Sequence, residues 1–222
     1  MMMRSLSKSM QDYVKAIYLL TRNGAASTTD IAARLSIAPA SVTAMLKRLS
    51  ELQLVHYESY RGVELTHAGV KIALELIRHH RLLELYLAEA LGYSWDKVHD
   101  EAEQLEHHIS EEFEDRIATI LGDPSYDPHG DPIPTKDGRM PPTVTERLAD
   151  ANVRETVVIR RVNSHDRQLL QTLAEEGVGL HTSVRVLERN DEGGLTIAVG
   201  RKKITLSRKA VENIYVERPA AA

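Results

Sequence analysis

Residues 27–66 read S-T-T-D-I-A-A-R-L-S-I-A-P-A-S-V-T-A-M-L-K-R-L-S-E-L-Q-L-V-H-Y-E-S-Y-R-G-V-E-L-T, and their order decides the fold. Ser27-Thr28-Thr29 supplies capping hydroxyls for a short helix from Asp30 to Leu35. Ser36-Ile37-Ala38-Pro39 breaks the pattern, and Pro39 suits the first turn of the next helix. That helix runs to about Leu52 and turns Val42, Met45, Leu46, Leu49 and Leu52 inward at helical spacing. Leu54–Tyr57 and Gly62–Thr66 then read as two short strands around Ser59-Tyr60-Arg61. Upstream, Tyr13, Val14, Ile17, Tyr18 and Leu20 give residues 9–22 a helical period that Asn23-Gly24 ends. Helix, helix, turn, helix and hairpin is the order of a winged helix-turn-helix.

In that fold the helix after the turn lies in the DNA major groove, with its first residues at the base edges. Here those are Ala38, Pro39, Ala40, Ser41, Thr43 and Ala44. Small side chains allow close approach, and hydroxyls can bond bases or phosphates. Thr28, Lys47 and Arg48, with Arg61 in the wing, are candidate backbone contacts. Three short amphipathic helices can also build a plain bundle, and winged folds serve as protein-interaction modules, so order alone leaves those readings open.

Working outward, Thr66 caps a long helix through about Leu91, stopped by Gly92. Ser94 is read as the cap of a second helix running to Leu121. On it, His99, Glu103, Glu106 and His107 stand at i, i+4, i+7 and i+8, which places two imidazoles and two carboxylates on one face. His80 and Glu84 repeat the i, i+4 spacing on the preceding helix. Any one of these residues fits a solvated acidic face that also holds Glu101, Glu111, Glu112 and Glu114. Two such pairs on adjacent helices point instead to a divalent cation, because buried charges need partners or a metal. His79 and His108 project about 100° away from their neighbours and are left out of the ligand set.

Residues 123–150 hold six of the eight prolines and read as an extended, partly mobile linker. Beyond them the pattern becomes short β-rich runs at Thr156–Arg160, Ser183–Leu187, Leu195–Val199, Lys203–Leu206 and Asn213–Val216, with one helix from Asp166 to Glu176. Five strands in so few residues predict a small barrel. The fold class is mainly α with a small β domain.

Composition narrows the function. The 222-residue chain has no Cys, which removes disulfides, thiolate metal sites and a Cys nucleophile. No apolar run reaches the length of a membrane span, and M-M-M-R-S-L-S-K-S-M is no signal segment, so the expected location is the cytoplasm. The overall charge of −4 is uneven: +3 over residues 1–70, −7 over 71–122, −3 over 123–150 and +3 over 151–222. A basic unit followed by an acidic, His-rich one suggests contact with a polyanion and capture of a cation. A metal-dependent oxidase or hydrolase is the competing class. The Glu-x-x-His elements of di-iron bundles are missing from the region of the stripe, and H-E-x-x-H, a Gly-rich phosphate loop and G-x-S-x-G are missing from the chain, so an enzyme with a small-molecule substrate is not expected. Oxygen and nitrogen donors without thiolate favour Mn2+ or Fe2+.

Several segments together resemble the diphtheria-toxin-repressor family of metal-dependent transcriptional regulators, in its manganese-responsive branch. They are S-M-Q-D-Y-V-K-A-I-Y (9–18), P-A-S-V-T-A-M-L-K-R-L (39–49), L-T-H-A-G (65–69), H-R-L-L-E (80–84), V-H-D-E-A-E-Q-L-E-H (98–107) and D-P-H-G-D-P-I-P (127–134). The resemblance implies a winged helix-turn-helix over 1–68, a helical metal-binding and dimerisation domain over 69–122, a Pro-rich linker over 123–150 and an SH3-like (FeoA-like) domain over 151–222. It also implies a homodimer on a palindromic DNA operator. The family's activating site falls on Asp12, Glu103, Glu106 and His107, and its ancillary site on His80, Glu84 and His99, giving two metal sites per subunit. His165 and Asp166 are candidates to complete the second from the SH3-like domain.

Iron-responsive members place Met and Cys where this chain has Asp12 and Glu103, and hard carboxylates there favour Mn2+, with Fe2+ the alternative. The manganese branch can use a Glu one turn after the first ligand. Lys15 stands there, which argues against a closely coupled metal pair and for two separated sites. The implied mechanism is a metal that staples the DNA-binding unit to the dimerisation unit. A repressor of metal-uptake genes, an activator with the same sensor, and a metal-buffering protein without DNA recognition all remain open at this point.

Overall fold

A computed structural model describes residues 6–21, 24–58 and 61–219. The helix stop at Asn23 and the wing turn at Ser59-Tyr60 lie outside the described residues. The chain divides into two compact units. The first comprises Met1–His80, Leu105–Ser110 and Pro134–Arg139; the second comprises Arg81–Gln104, Glu111–Ile133 and Met140–Ala222.

In the first unit, Ser7 caps α1 (Lys8–Leu20) by accepting from the Met10 amide. Ser27 and Asp30 form a reciprocal capping box at the start of α2 (Thr28–Leu35). The helix-turn-helix corner is made by Ser36, whose φ of 54° closes α2 in the left-handed region, and by Pro39 at the first position of α3 (Pro39–Glu51). The hairpin pairs β1 (Val55–Glu58) with β2 (Gly62–Leu65) in the register Val55↔Leu65 to Glu58↔Gly62. Ala26 adds a further bridge to Val63 that the sequence did not suggest. Ile17, Ile31, Val42, Leu46, Leu49, Leu54 and Leu76 fill the core. Thr66 Oγ1 accepts from the Gly69 amide and starts α4 (His67–Glu89). A Cβ on Gly69 would stand 2.2 Å from the Leu54 carbonyl, so only glycine lets α4 cross the chain entering β1 so closely.

The second unit corrects the single helix expected from Ser94 to Leu121. A turn from Ser94 leads into α5 (Val98–Leu105), and α6 (Glu111–Ile120) is separate. Ser110 stands at the start of α6, and Glu111, Glu112 and Glu114 fill its first turn, where the helix dipole favours negative charge. That second start signal outweighs the continuing apolar period.

Strands β3 (Thr156–Val162), β4 (Ser183–Arg189), β5 (Leu195–Val199), β6 (Lys202–Leu206) and β7 (Ile214–Glu217) form one antiparallel sheet in the order β6-β5-β4-β3-β7. Irregularities between Ile159 and Arg161 and between Val186 and Glu188 bend it. Alternating Val157, Ile159, Val184, Val186, Ile197, Ile204 and Val216 face a core shared with α7 (Arg167–Glu175) and with Val211 of α8 (Arg208–Glu212), a short helix the pattern did not reveal.

The Pro-rich stretch is also corrected. Asp127 Oδ1 accepts the amides of His129 and Asp131, the Gly130 amide returns to the Asp127 carbonyl, and the Val162 amide donates to the His129 carbonyl. Asp127, His129 and Ile133 are buried, so this segment is a built loop rather than a solvated linker.

Candidate metal centre

In the first unit, α1 presents Asp12 toward the turn that follows α5. The His108 amide bonds the Leu105 carbonyl and closes that turn, so Glu106 and His107 stand outside the helix. The predicted four-residue stripe is therefore not one helical face: only His99 and Glu103 remain on α5. The helix ends where Ser110 and its acidic followers start another.

Asp12, Glu106 and His107 each offer a ligand atom within 4.8 Å of the others'. His107 Nε2 lies 3.0 Å from Asp12 Oδ1 and 3.5 Å from Glu106 Oε1. Asp12 Oδ1 and His107 Nε2 are both buried, yet neither has a hydrogen-bond partner. Two orphaned donor atoms facing each other beside a carboxylate with no exposure fit a cation that would satisfy all three. On its other side, His107 Nδ1 is 2.7 Å from Gln11 Oε1, and Gln11 Nε2 donates to the Leu6 carbonyl. That chain assigns the imidazole proton to Nδ1 and leaves the Nε2 lone pair for a metal.

Around Glu106, Lys15 Nζ lies 2.8 Å from each carboxylate oxygen, His80 Nδ1 meets Oε2, and His79 Nδ1 is 3.2 Å from the backbone carbonyl. His80 thus partners Glu106 within this unit. His79 is buried, with Nδ1 bonded to the Glu106 backbone carbonyl.

The second unit holds another group: Glu84 from α4, with Asp127 and His129 from the Pro-rich loop. All three are buried. Glu84 Oε1 takes His99 at 3.0 Å, and Glu84 Oε2 lies 3.8 Å from His129 Nδ1, which is itself 4.0 Å from Asp127 Oδ1. His129 Nε2 donates to the Trp95 carbonyl at 2.7 Å, aiming Nδ1 at the two carboxylates, where it has no hydrogen-bond partner.

Burial, with Glu84 and Asp131 nearby, raises the Asp127 carboxyl to about 8. Burial alone would lower the His129 imidazole, but the Glu84 and Asp127 carboxylates outweigh it and push the ring up to about 9. The pocket is oversupplied with negative charge, which favours binding of protons or of a cation. Arg81 supplies part of the balance, 3.7 Å from Asp127 and 3.8 Å from Asp131.

Glu84 and His99, both expected as ligands, stand here beside Asp127 and His129, which the sequence did not single out. The signal was present: an Asp two residues before a His and three before a Gly is the pattern of an Asx turn that folds back on itself. His165 stacks edge-on against His99 with ring centroids 4.8 Å apart. Asp166 caps α7 through the Leu169 amide and pairs with Lys209 at 2.8 Å; the Lys209 hydrogen bond comes first among the causes that hold its carboxyl below the usual range. Glu103 is half-buried in the second unit.

Of the DNA-contact candidates, Ala38, Pro39, Ala40, Ser41, Lys47, Arg48 and Arg61 are exposed, while Thr28 and Thr43 are half-buried. Arg61 pairs with Glu58 at 3.0 Å, an exposed contact that a phosphate could replace at little cost.

Three family models match: "Iron dependent repressor, N-terminal DNA binding domain" over residues 5–63, "Iron dependent repressor, metal binding and dimerisation domain" over 66–135, and "FeoA domain" over 146–218. The iron-dependent repressor IdeR of Mycobacterium bovis and that of Mycobacterium tuberculosis are each 31% identical over 232 residues, covering 97% of this chain and 100% of theirs. Among solved structures, a manganese-dependent transcriptional repressor in complex with manganese shares 35% identity at a TM-score of 0.86, covering 95% of this chain and 100% of its own. ScaR with bound Cd2+ shares 31% identity at a TM-score of 0.80, covering 95% and 99%.

Proposed function

Since this chain belongs to the diphtheria-toxin-repressor family of metal-dependent transcriptional regulators, we propose that it is a Mn2+-responsive repressor of metal-uptake genes that acts in the cytoplasm as a dimer on a palindromic operator. The observation that carries the metal reading is the pair of orphaned atoms, Asp12 Oδ1 and His107 Nε2, beside the buried Glu106. Asp12, Glu106 and His107 would hold the activating ion, and Glu84, Asp127 and His129, with His99 beside them, would hold a second. A bound cation supplies the positive charge that these oxygen and nitrogen donors lack, and a set without thiolate suits Mn2+. Among the described residues, no helix is long and apolar enough to cross a membrane.

Asp12 stands on the helix that packs against α2, while Glu106 and His107 stand on the turn. One ion held by all three would fix α1, and through it the α2–α3 pair, against that turn. If the joined arrangement is the one that fits DNA, metal and operator favour each other by the same factor. For dimerisation, Leu82, Leu83 and Leu85 are buried within the single chain, whereas Leu91, Phe113 and Ile120 are 56%, 43% and 69% exposed. A second copy of the chain is the natural cover for such apolar surface.

The test is selection of sequences from a random duplex pool with Mn2+, with Fe2+ under anaerobic conditions, and with a chelator. Enrichment of one palindrome only with metal is expected, and strongest with Mn2+. Stronger enrichment with Fe2+ would make iron the signal, and no enrichment under any condition would end the regulator reading. On the selected duplex, Lys47→Ala and Arg48→Ala should each weaken all sequences alike and reduce the slope of log K against log salt by about one unit. Ser41→Ala should instead change the preferred base at one position, measured by repeating the selection.

A further inference from the structure

The position of Lys15 at the activating group goes beyond its inability to ligate a metal. Asp12 and Lys15 are i, i+3 on α1 and leave the same face of the helix. The Lys15 ammonium lies 2.8 Å from both oxygens of Glu106 and 3.4 Å from His80 Nδ1. The Lys15 side chain is 13% exposed and that of Glu106 is 0% exposed, so the pair is shielded from solvent and weakly screened by salt. The ammonium gives this carboxylate, on both oxygens at once, the positive partner that a divalent ion would give it.

We infer that Lys15 is a tethered competitor for Glu106. In the metal-free chain its ammonium holds the carboxylate, and Glu106 becomes a ligand only as that pair loosens. Lys15 thereby sets the cation concentration at which the group fills. The inference rests on reading Asp12, Glu106 and His107 as ligands. A lysine suits the task because its charge is compact and strongly hydrated and its four-carbon stem is flexible, so the head can leave for water without a change of backbone. A residue that merely steadied Glu106 for the metal would act in the opposite direction, since its loss would weaken metal binding.

Mn2+ titration of the full chain by calorimetry and electron paramagnetic resonance, together with thermal melts of the metal-free protein, separates the two roles. Lys15→Met should tighten the Glu106-dependent class of Mn2+ sites by about tenfold or more, because a nearby positive charge has been removed. It should also lower the melting temperature of the metal-free chain, by stranding a buried carboxylate, and enlarge the rise in melting temperature on adding Mn2+. Lys15→Arg, which keeps the charge and can fork onto both oxygens, should bind Mn2+ no more tightly than the parent. Lys15→Gln, a neutral donor, should tighten binding as Met does and gives the same reading should the Met variant fail to fold. In a Glu106→Gln background, Lys15→Met should change none of these three quantities. Equal or weaker Mn2+ binding by the neutral variants, with Glu106→Gln still impaired, overturns the inference alone. A Glu106→Gln chain that binds Mn2+ as the parent does overturns the ligand reading, and the inference with it.

Discussion

Glu106→Gln and His107→Ala are each expected to abolish the Mn2+-dependent gain in operator affinity, a loss of about 100-fold where the parent's metal–DNA coupling lies toward the upper end of the usual range. The reason is geometric. The three donors come from two segments far apart in sequence, and among the described residues of the first unit the side chains around them already have other partners. Gln11 is committed to His107 Nδ1 and to the Leu6 carbonyl, His80 and Lys15 approach Glu106 from its own side, and His79 holds a backbone oxygen.

Helix content by circular dichroism should be retained in both variants, since neither residue belongs to the apolar core. Glu106→Gln should nevertheless melt lower without metal, because Lys15 loses the carboxylate it faces. The sharper readout is linkage: at 100 times its Kd a ligand adds about 2.7 kcal/mol to the parent's stability, and that increment at this class of sites should vanish in either variant. Either variant responding to Mn2+ as the parent does, in melts and in DNA binding, would show that the ligands lie elsewhere.

Gly130→Ala should cost about 3 kcal/mol or more of stability and lower the melting temperature by about 10 °C. Gly130 has a φ of +84°, where an L side chain is strained. Its missing Cβ would stand 2.0 Å from the Arg160 carbonyl and 2.9 Å from Arg161 Cα, both backbone atoms of β3 that cannot swing aside. The loop would have to withdraw, breaking the bond from the Val162 amide to the His129 carbonyl and shifting His129 from its place before Glu84. Mn2+ titration should then show the Glu84, Asp127 and His129 class weakened and the Asp12, Glu106 and His107 class retained. An unchanged melting temperature would mean that the close approach of this loop to β3 does not exist in solution.

The parts of this molecule that were legible in its sequence are those where a local signal and the burial pattern agree. The helix-turn-helix was readable because Ser27 with Asp30, and Pro39 at a helix start, mark boundaries that the apolar positions of α2 and α3 confirm. The strands of the C-terminal sheet were readable because they are short and rich in β-branched residues, and because Val184, Ile204 and Leu206 alternate with polar neighbours. The break between α5 and α6 was masked, since acidic and apolar positions keep a helical rhythm through 106–110 and cover the second start signal at Ser110 and the acidic turn after it. The carboxylate and imidazole of Asp127 and His129 were hidden for a different reason: the prolines around them were read as an extended linker without packing, whereas here they belong to a loop whose amides converge on Asp127. Asp12 could be reached through family resemblance but not from spacing, because nothing local links a residue on α1 to a turn more than ninety positions later.

Trp95 is the only tryptophan in the chain. Its indole N–H donates to the Leu170 carbonyl, and its ring lies parallel to that of His129, with centroids 6.1 Å apart and planes 13° from each other. All indole fluorescence of the unlabelled protein therefore originates beside one imidazole of the second metal-binding candidate, and from a residue anchored to the FeoA-like domain. The molecule carries a built-in optical probe at the place where the occupancy of that group is hardest to separate from the other, and its emission can be followed during any titration without adding a dye.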